Sequence, residues 1–144
     1  MISFFVPGKP APQGSKRHVG RGILIESSKE VGPWRERVAL VAHGTMAAER
    51  DICGQGLIEK PQQVELNLWF VLPRPASAPK TKTPPATKRP DIDKLARAVL
   101  DALTDVVFQD DSQVTSMALT KRLADPGEQP GVTVQIFPNG RLEG

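Results

Sequence analysis

Apolar side chains alternate with other residues along positions 64–72, which is the clearest strand pattern in the chain. The apolar positions are Val64, Leu66, Leu68, Phe70 and Leu72. Because successive side chains of a strand point to opposite faces, this alternation predicts a central strand with one well-buried face. Shorter apolar runs predict further strands at residues 2–6, 23–25, 114–120 and 132–137.

Apolar residues at spacings of three and four predict two amphipathic helices. The first begins near Pro33, a residue tolerated at the start of a helix, and its stripe is Val31, Trp34, Val38, Val41 and Thr45. The second covers residues 92–103, and its stripe is Ile92, Leu95, Ala96, Val99, Ala102 and Leu103. This order of elements predicts an α+β domain in which two main helices cover one face of a small mixed or antiparallel sheet.

Two proline-rich segments interrupt the pattern. Residues 7–22 predict a basic, irregular loop. Residues 73–90 contain six prolines and five Lys or Arg, so this segment cannot pair in a sheet and has little apolar surface to bury. We predict a mobile loop at 73–90 within a single domain of residues 1–138, followed by a C-terminal tail at 139–144.

The composition fits one modest hydrophobic core, given 144 residues and 39% hydrophobic content. No apolar run is long enough to span a bilayer and the N-terminus lacks the features of a signal peptide, so we expect a cytoplasmic protein without a membrane partner. A single cysteine and two histidines exclude an intramolecular disulfide and a Cys-cluster zinc site. The scattered glycines form no phosphate loop, and we expect no small-molecule cofactor.

Basic residues are concentrated around two carboxylates. The net charge is only +3, yet residues 74–97 contain seven Lys or Arg and two acids, Asp91 and Asp93. Such a segment can bind a polyanion through its phosphates, with an affinity that falls as salt rises because counterions are released. The predicted DNA contacts are Lys16, Arg17, Lys80, Lys82, Lys88, Arg89 and Lys94. A solvated linker is the alternative for the segment, and a solvated loop is an equal alternative for Lys16 and Arg17.

Asp91 and Asp93 lie at the predicted start of the second helix. Residues two apart on a helix point about 200° apart, so these carboxylates converge only if Asp91 precedes the helix and Asp93 lies in its first turn. Pro90 favours that boundary. In the alternative interpretation, Asp91 is an N-cap and Asp93 interacts favourably with the helix dipole.

Three further features favour a metal site: the basic segment, Arg97 one turn after Asp93, and a second acidic pair, Asp110 and Asp111. Clustered carboxylates raise one another's pKa, so three of them stay ionised at neutral pH only with a compensating cation. Oxygen ligands without His or Cys select Mg²⁺ or Mn²⁺. Such an ion activates water for phosphodiester hydrolysis, and a nearby cationic side chain stabilises the transition state.

The stretch RPDIDKLARAVLDALTDVVFQDDSQV, residues 89–114, resembles the signature of RusA-type Holliday junction resolvases. The similar features are a basic lead-in, an Asp-Ile-Asp motif, a helix that ends in Asp-Ala-Leu, and a following Asp-Asp-x-Gln-Val motif. The early PGKPAPQGSKR segment resembles the proline-rich N-terminal loop of that family more loosely. In order of elements the resemblance covers most of the chain, and it implies that residues 1–138 form a RusA-like endonuclease domain.

The resemblance implies a homodimer that binds four-way DNA junctions and introduces paired, symmetric nicks with Mg²⁺, for which Mn²⁺ can substitute. Asp91, Asp93 and Asp111 match the essential carboxylates of the family. Asp110 also fits the paired motif, either as an alternative ligand or as a residue that supports the ligands.

Two positions depart from the family pattern. Lys94 stands where the family usually has asparagine, and Arg97 stands where it has a functional lysine. Arginine keeps the charge and can bind a phosphate in bidentate fashion, but it cannot donate a proton as lysine can. Asp101 also matches the family pattern, and we expect a structural role for it, such as pairing with Arg97.

Two other functions remain open at this point. In the first, the chain is a non-catalytic DNA-binding module whose acids cap a helix and whose basic loop holds DNA. In the second, it is a nuclease for other branched or single-stranded DNA. A metal requirement for cleavage separates the catalytic functions from the binding module.

Overall fold

The computed structural model describes residues 1–14, 16–18, 24–26 and 29–139, with the side chains of 16–18 and 24–26 outside that description. The elements are β1 (Ile2–Pro7), β2 (Lys16–His18), β3 (Leu24–Glu26), α1 (Val31–Cys53), β4 (Val64–Leu72), α2 (Ile92–Leu103), a short 3₁₀ turn (Asp111–Gln113), β5 (Val114–Leu123) and β6 (Gly131–Pro138). No helix in these ranges is both long and apolar enough to cross a bilayer.

Four strands form a mixed sheet in the order β1-β6-β4-β5, and β2 pairs with β3 in a separate hairpin. The pairs β1–β6 and β6–β4 are antiparallel, whereas β4 and β5 are parallel. One face of the sheet carries the core because its side chains are buried: Ile2, Val6, Leu66, Leu68, Phe70, Val132, Val134 and Ile136. Residues from both long helices complete the same core cluster. The predicted α+β class is confirmed.

The parallel pairing of β4 and β5 requires a crossover connection, and α2 provides it. The register aligns Val64 with Val114 and Leu72 with Leu123. The chain therefore leaves the end of β4, passes through residues 73–91, returns along α2, and enters β5 beside the start of β4. This path places the first turn of α2 near the carboxyl ends of the two strands and residues 110–111 near their amino ends.

Most elements have the predicted positions. The structure confirms a strand at 64–72 and a helix at 92–103. The first helix is longer than its stripe predicted, and its buried face continues through Ala42 and Met46 instead of Val41 and Thr45. It ends at Cys53, and the next residue, Gly54, has a φ of 76° that suits glycine and an N–H that donates to the carbonyl of Arg50. The β2 strand lies in the segment that we predicted to be irregular.

Candidate active site

The start of α2 gives Asp91 and Asp93 the arrangement that their carboxylates need in order to converge: one residue precedes the helix and the other lies in its first turn. Asp91 is the N-cap residue, in extended conformation with φ −71° and ψ 138°, and Asp93 is in the first turn. The Asp91 side chain makes no capping hydrogen bond. Both side chains are exposed, and neither has a polar partner among the described residues. Their oxygens are therefore available to an external ligand.

Lys121 of β5 holds the backbone that leads into Asp91. Its Nζ donates to the carbonyl oxygens of Lys88, at 2.9 Å, and Pro90, at 2.7 Å. We did not predict this contact from the sequence, because only the crossover connection brings β5 and the segment before α2 together. The one sequence signal is that Lys121 shares the alternation of Leu119 and Leu123, which places it on the face of β5 that is directed towards the helices.

A groove of about 990 Å³ separates residues 9–14 from the segment 72–91. Asp91 and Lys94 line it at the α2 end. Its other lining residues are mostly prolines and small apolar residues, with Lys9, Glu30, Arg74, Lys88 and Arg89 among the charged ones. Lys9 pairs with Glu30 at 3.7 Å. The groove thus leads from a proline-rich wall towards the first carboxylate of the candidate site.

Arg74 organises the proline-rich segment from within. Its guanidinium donates to Thr83 Oγ1 at 2.9 Å, to the carbonyl of Ala124 at 3.1 Å, and to the carbonyls of Pro79 and Lys82. These bonds direct the Arg74 guanidinium to the proline-rich segment and to Ala124, which follows β5. The mobility of residues 73–90 stays a prediction.

The predicted phosphate contacts in this segment remain exposed. The side chains of Lys80, Lys82, Lys88 and Arg89 form no hydrogen bond or ion pair with the residues that the structure describes. Lys94 is half-buried and lies at the groove. Lys16 and Arg17 belong to β2, but their side chains lie outside the description. Contact of all these residues with DNA stays a prediction.

On the outer surface of α2, Arg97 and Asp101 follow Asp93 at steps of four residues. Arg97 is exposed and pairs with no acid in the described part of the chain. Asp101 lies 3.6 Å from Nη1 of Arg35 on α1, and the same nitrogen donates to Gln13 Oε1 at 2.9 Å. Asp101 therefore pairs with Arg35 and not with Arg97, the partner that we expected, and its structural role stays a prediction.

The second acidic pair divides into a bound and a free carboxylate. Asp110 caps the 3₁₀ turn: its Oδ1 accepts from the Ser112 N–H at 2.9 Å, and its Oδ2 lies 3.0 Å from Lys60 Nζ. The Ser112 amide and then the Lys60 ammonium lower the pKa of Asp110 from 3.8 to about 2. Asp111 is exposed and has no polar side-chain partner within the described ranges.

Gln113 fixes the turn that carries this pair. Its buried side chain accepts from the Asp110 N–H at 2.8 Å and donates to the carbonyls of Ile58, at 3.1 Å, and Gln62, at 3.0 Å. The glutamine of the Asp-Asp-x-Gln-Val motif thus orients the backbone of the acids. Its role was not apparent from the sequence because both of its acceptors lie about fifty residues upstream.

The two acidic pairs lie at opposite ends of α2. Its 12 residues span about 18 Å, whereas oxygens that share one Mg²⁺ each lie about 2.0–2.1 Å from it. Asp110 and Asp111 line an open cleft with Asp101 and Thr104 of the last turn, whereas Asp91 lines the groove at the first turn. Within the described ranges, no three His, Cys, Asp or Glu residues form a group that could hold a metal ion. One chain alone does not bring Asp111 to Asp91 and Asp93, and the predicted ligand set stays a prediction.

The chain matches a known family over nearly its whole length. Residues 7–137 match the family described as "Endodeoxyribonuclease RusA". An uncharacterised protein of Bacillus subtilis (strain 168), YqaN, is 28% identical over an alignment of 144 positions that covers 94% of each chain. The family match includes both acidic pairs, the groove and every strand of the sheet from the end of β1 to β6. The chain belongs to the RusA endodeoxyribonuclease family.

Proposed function

We propose that this protein is a Mg²⁺-dependent endodeoxyribonuclease that resolves four-way DNA junctions by paired, symmetric nicks. The observation that carries the proposal is the pair Asp91 and Asp93, which are exposed and without described partners at the start of α2. Asp91 borders a groove with a basic rim. Membership of the RusA family supports the same activity.

The side chains fit the proposed metal in chemistry. Mg²⁺ is usually bound by one or two carboxylates together with waters and substrate phosphates, and Asp91 and Asp93 offer two. Their oxygens are not engaged by a described donor, unlike those of Asp110. When bound, the ion supplies an activated water and neutralises charge on the phosphate, and Mn²⁺ can replace it.

The cationic side chains around this pair have separate roles in the proposal. Lys88, Arg89 and Lys94 bind backbone phosphates and hold the strand along the groove, since they line it and no described acid pairs with their side chains. Arg97, one turn from Asp93 on the exposed side of α2, stabilises negative charge that develops as the phosphodiester bond breaks. It does so by charge and hydrogen bonding, because its guanidinium does not give up a proton.

Asp111 joins the proposed site through a second copy of the chain. Within one chain about 18 Å of helix separates it from the other acids. A four-way junction needs two opposed nicks to yield linear products, so we propose a homodimer with two equivalent sites. In that dimer, Asp91 and Asp93 of one protomer act with Asp111 of its partner.

The test compares a labelled four-way junction with a matched linear duplex, each incubated with protein and with Mg²⁺, Mn²⁺ or chelator. We expect paired nicks in the junction only, and only with metal, while Asp91→Asn binds the junction without cutting it. Junction binding without cleavage under any metal condition identifies a DNA-binding module instead. Equal cleavage of single strands or flaps identifies a less selective nuclease.

A further inference from the structure

Lys121 is a lysine whose ammonium is directed to backbone instead of to solvent or an acid. It lies on β5 opposite Phe70, on the parity that faces the helices, and is half-buried. Its Nζ donates to the carbonyl oxygens of Lys88 and Pro90 at 2.9 Å and 2.7 Å. Two of the three ammonium donors are thus used on either side of Arg89.

The held backbone is the last part of the proline-rich segment before the candidate site. Asp91 follows Pro90 directly, and the orientation of its carboxylate depends on the peptide that enters it. The Asp91 side chain has no capping bond to the helix, so the helix itself does not restrain it. The Lys121 contacts hold the carbonyl of Pro90, which directly precedes Asp91, and the carbonyl of Lys88 two residues earlier. Hydrogen bonds from a charged donor are stronger than those between neutral groups.

We propose that Lys121 is a positioning residue of the endonuclease: it fixes the backbone of residues 88–90 so that the Asp91 carboxylate is presented for divalent metal binding. The proposal rests on the proposed function. Lys121 does not itself contact DNA or metal in this role. A purely structural role is disfavoured because Lys88 is exposed. When Lys121 is replaced, water can bond the Lys88 carbonyl in place of the ammonium, so the fold loses little stability at that point.

Lys121→Met tests this role, because methionine keeps an apolar stem of similar length and lacks the donors. The conservative variant is Lys121→Arg, and the matched control is Lys29→Met, an exposed lysine distant in sequence with no described partner. Three quantities are measured for each: Mn²⁺ affinity by electron paramagnetic resonance, single-turnover junction cleavage against Mn²⁺ concentration, and junction affinity with chelator present.

We expect Lys121→Met to weaken Mn²⁺ binding or single-turnover cleavage by about 10-fold to 100-fold, the usual effect of removing a group that orients a metal ligand. Junction affinity should stay within about twofold of wild type, since the variant keeps every phosphate-binding side chain. Lys121→Arg should recover most of the loss, and Lys29→Met should match wild type. If the Met variant does not fold, Lys121→Gln, which is shorter and uncharged but keeps an amide donor group, takes its place.

The outcomes separate the two proposals. Wild-type Mn²⁺ affinity and wild-type cleavage in Lys121→Met overturn the positioning role and leave the proposed function intact. A wild-type protein that cuts no DNA overturns the proposed function, and the Mn²⁺ titration then still decides whether Lys121 affects metal binding. Equal losses of junction affinity and cleavage would instead make Lys121 a DNA contact, which also contradicts the inference.

Discussion

The carboxylate of Asp101 pairs with Arg35 of α1, at 3.6 Å from Nη1, although Arg97 lies one turn before it on the same helix. An acid that follows a base at this spacing is the weaker of the two orders for a helical ion pair. Arg35 also bonds Gln13, whose N–H donates to the carbonyl of Lys94 at 3.0 Å. Asp101 therefore takes part in a set of contacts that connects α1, α2 and the segment around Gln13. Arg97 has no acid partner in the described part of the chain, and its guanidinium is exposed on the surface of α2.

Arg97 is expected to matter for cleavage and not for folding. Arg97→Ala should lower single-turnover junction cleavage by about 10²-fold to 10³-fold, because loss of one preorganised transition-state interaction typically costs about 2.7–4 kcal/mol. Its Tm should be almost unchanged, since the side chain has no partner in the described part of the chain. Arg97→Lys should keep much of the rate by keeping the charge.

Asp101→Asn is the matched control for Arg97 on the same helix surface. It should cleave normally and lose less than about 1 kcal/mol of unfolding free energy, as expected for a partly exposed ion pair. Wild-type cleavage by Arg97→Ala would remove Arg97 from the proposed site.

The two neighbouring acids before β5 are expected to separate by phenotype. Asp110→Ala should lower the Tm, because it removes the cap on the Ser112 amide and the ion pair with Lys60, and should retain metal-dependent cleavage. Asp111→Asn should leave the Tm unchanged and abolish cleavage while junction binding persists. Thermal melting and single-turnover cleavage of both variants check this, and the reverse pattern would make Asp110 the ligand.

The local pattern sufficed for the elements that carry the site but not for the contacts between them. The helix at 92–103 was predictable because its stripe is strong and Pro90 precedes its start. Lys121 bonds backbone more than thirty residues before it in the chain. Lys60 and Gln113 have partners that are at least fifty residues away. Those contacts exist only once β4 and β5 pair in parallel, and alternation in a single strand does not specify its neighbour.

The separation of the acidic pairs has a different origin. The sequence gives the number of residues between Asp93 and Asp111 directly, and its pattern predicted the helix between them. A helix of this length holds its two ends about 18 Å apart, but the eight residues from Thr104 to Asp111 are long enough to return over that distance. The fold instead places Asp111 beside the last turn of α2, which the sequence did not show. The basic segment, Arg97 and the second acidic pair led us to predict one metal site for all these acids, and the resemblance to RusA-type resolvases agreed with that prediction.

The exposed lysines of the proline-rich segment are expected to set the salt dependence of binding. Replacing Lys80, Lys82 and Lys88 by Ala should weaken junction binding and flatten its log–log dependence on salt by about 0.9 for each phosphate that the variant no longer neutralises. Lys29→Ala combined with Arg50→Ala, which removes exposed charges outside the groove, should leave the slope unchanged. An unchanged slope in the triple variant would reduce the segment to a spacer.

Stability at acid pH is expected to depend on Glu128. The Arg122 guanidinium and then the Asp125 amide lower the pKa of Glu128 from 4.5 to about 2. A lowered carboxyl pKa contributes stability above the unfolded-state value, and that contribution is lost as pH falls from about 4.5 to about 2. Glu128→Gln should therefore melt below wild type at pH 7, with a difference that shrinks towards zero near pH 2. A difference independent of pH in thermal melts would contradict this.

Complementation between two inactive variants tests whether the proposed site is shared between protomers. Asp93→Asn and Asp111→Asn should each be inactive as homodimers. In a mixed dimer, a shared site combines the intact Asp93 of one chain with the intact Asp111 of the other at one position, and both substitutions fall together at the other position.

Such a dimer should recover one working site, so it should nick a labelled junction on one strand without producing paired cuts. If each site instead draws all its acids from one chain, both sites carry a substitution and nothing is recovered. Co-expressing the chains with two different affinity tags and purifying over both ensures that the mixed dimer is assayed. The rate should reach about half that of wild type per dimer, as expected when one of two equivalent, independent sites is intact. A doubly tagged dimer that binds the junction with wild-type affinity and leaves every strand uncut would show that Asp111 does not complete the partner's site.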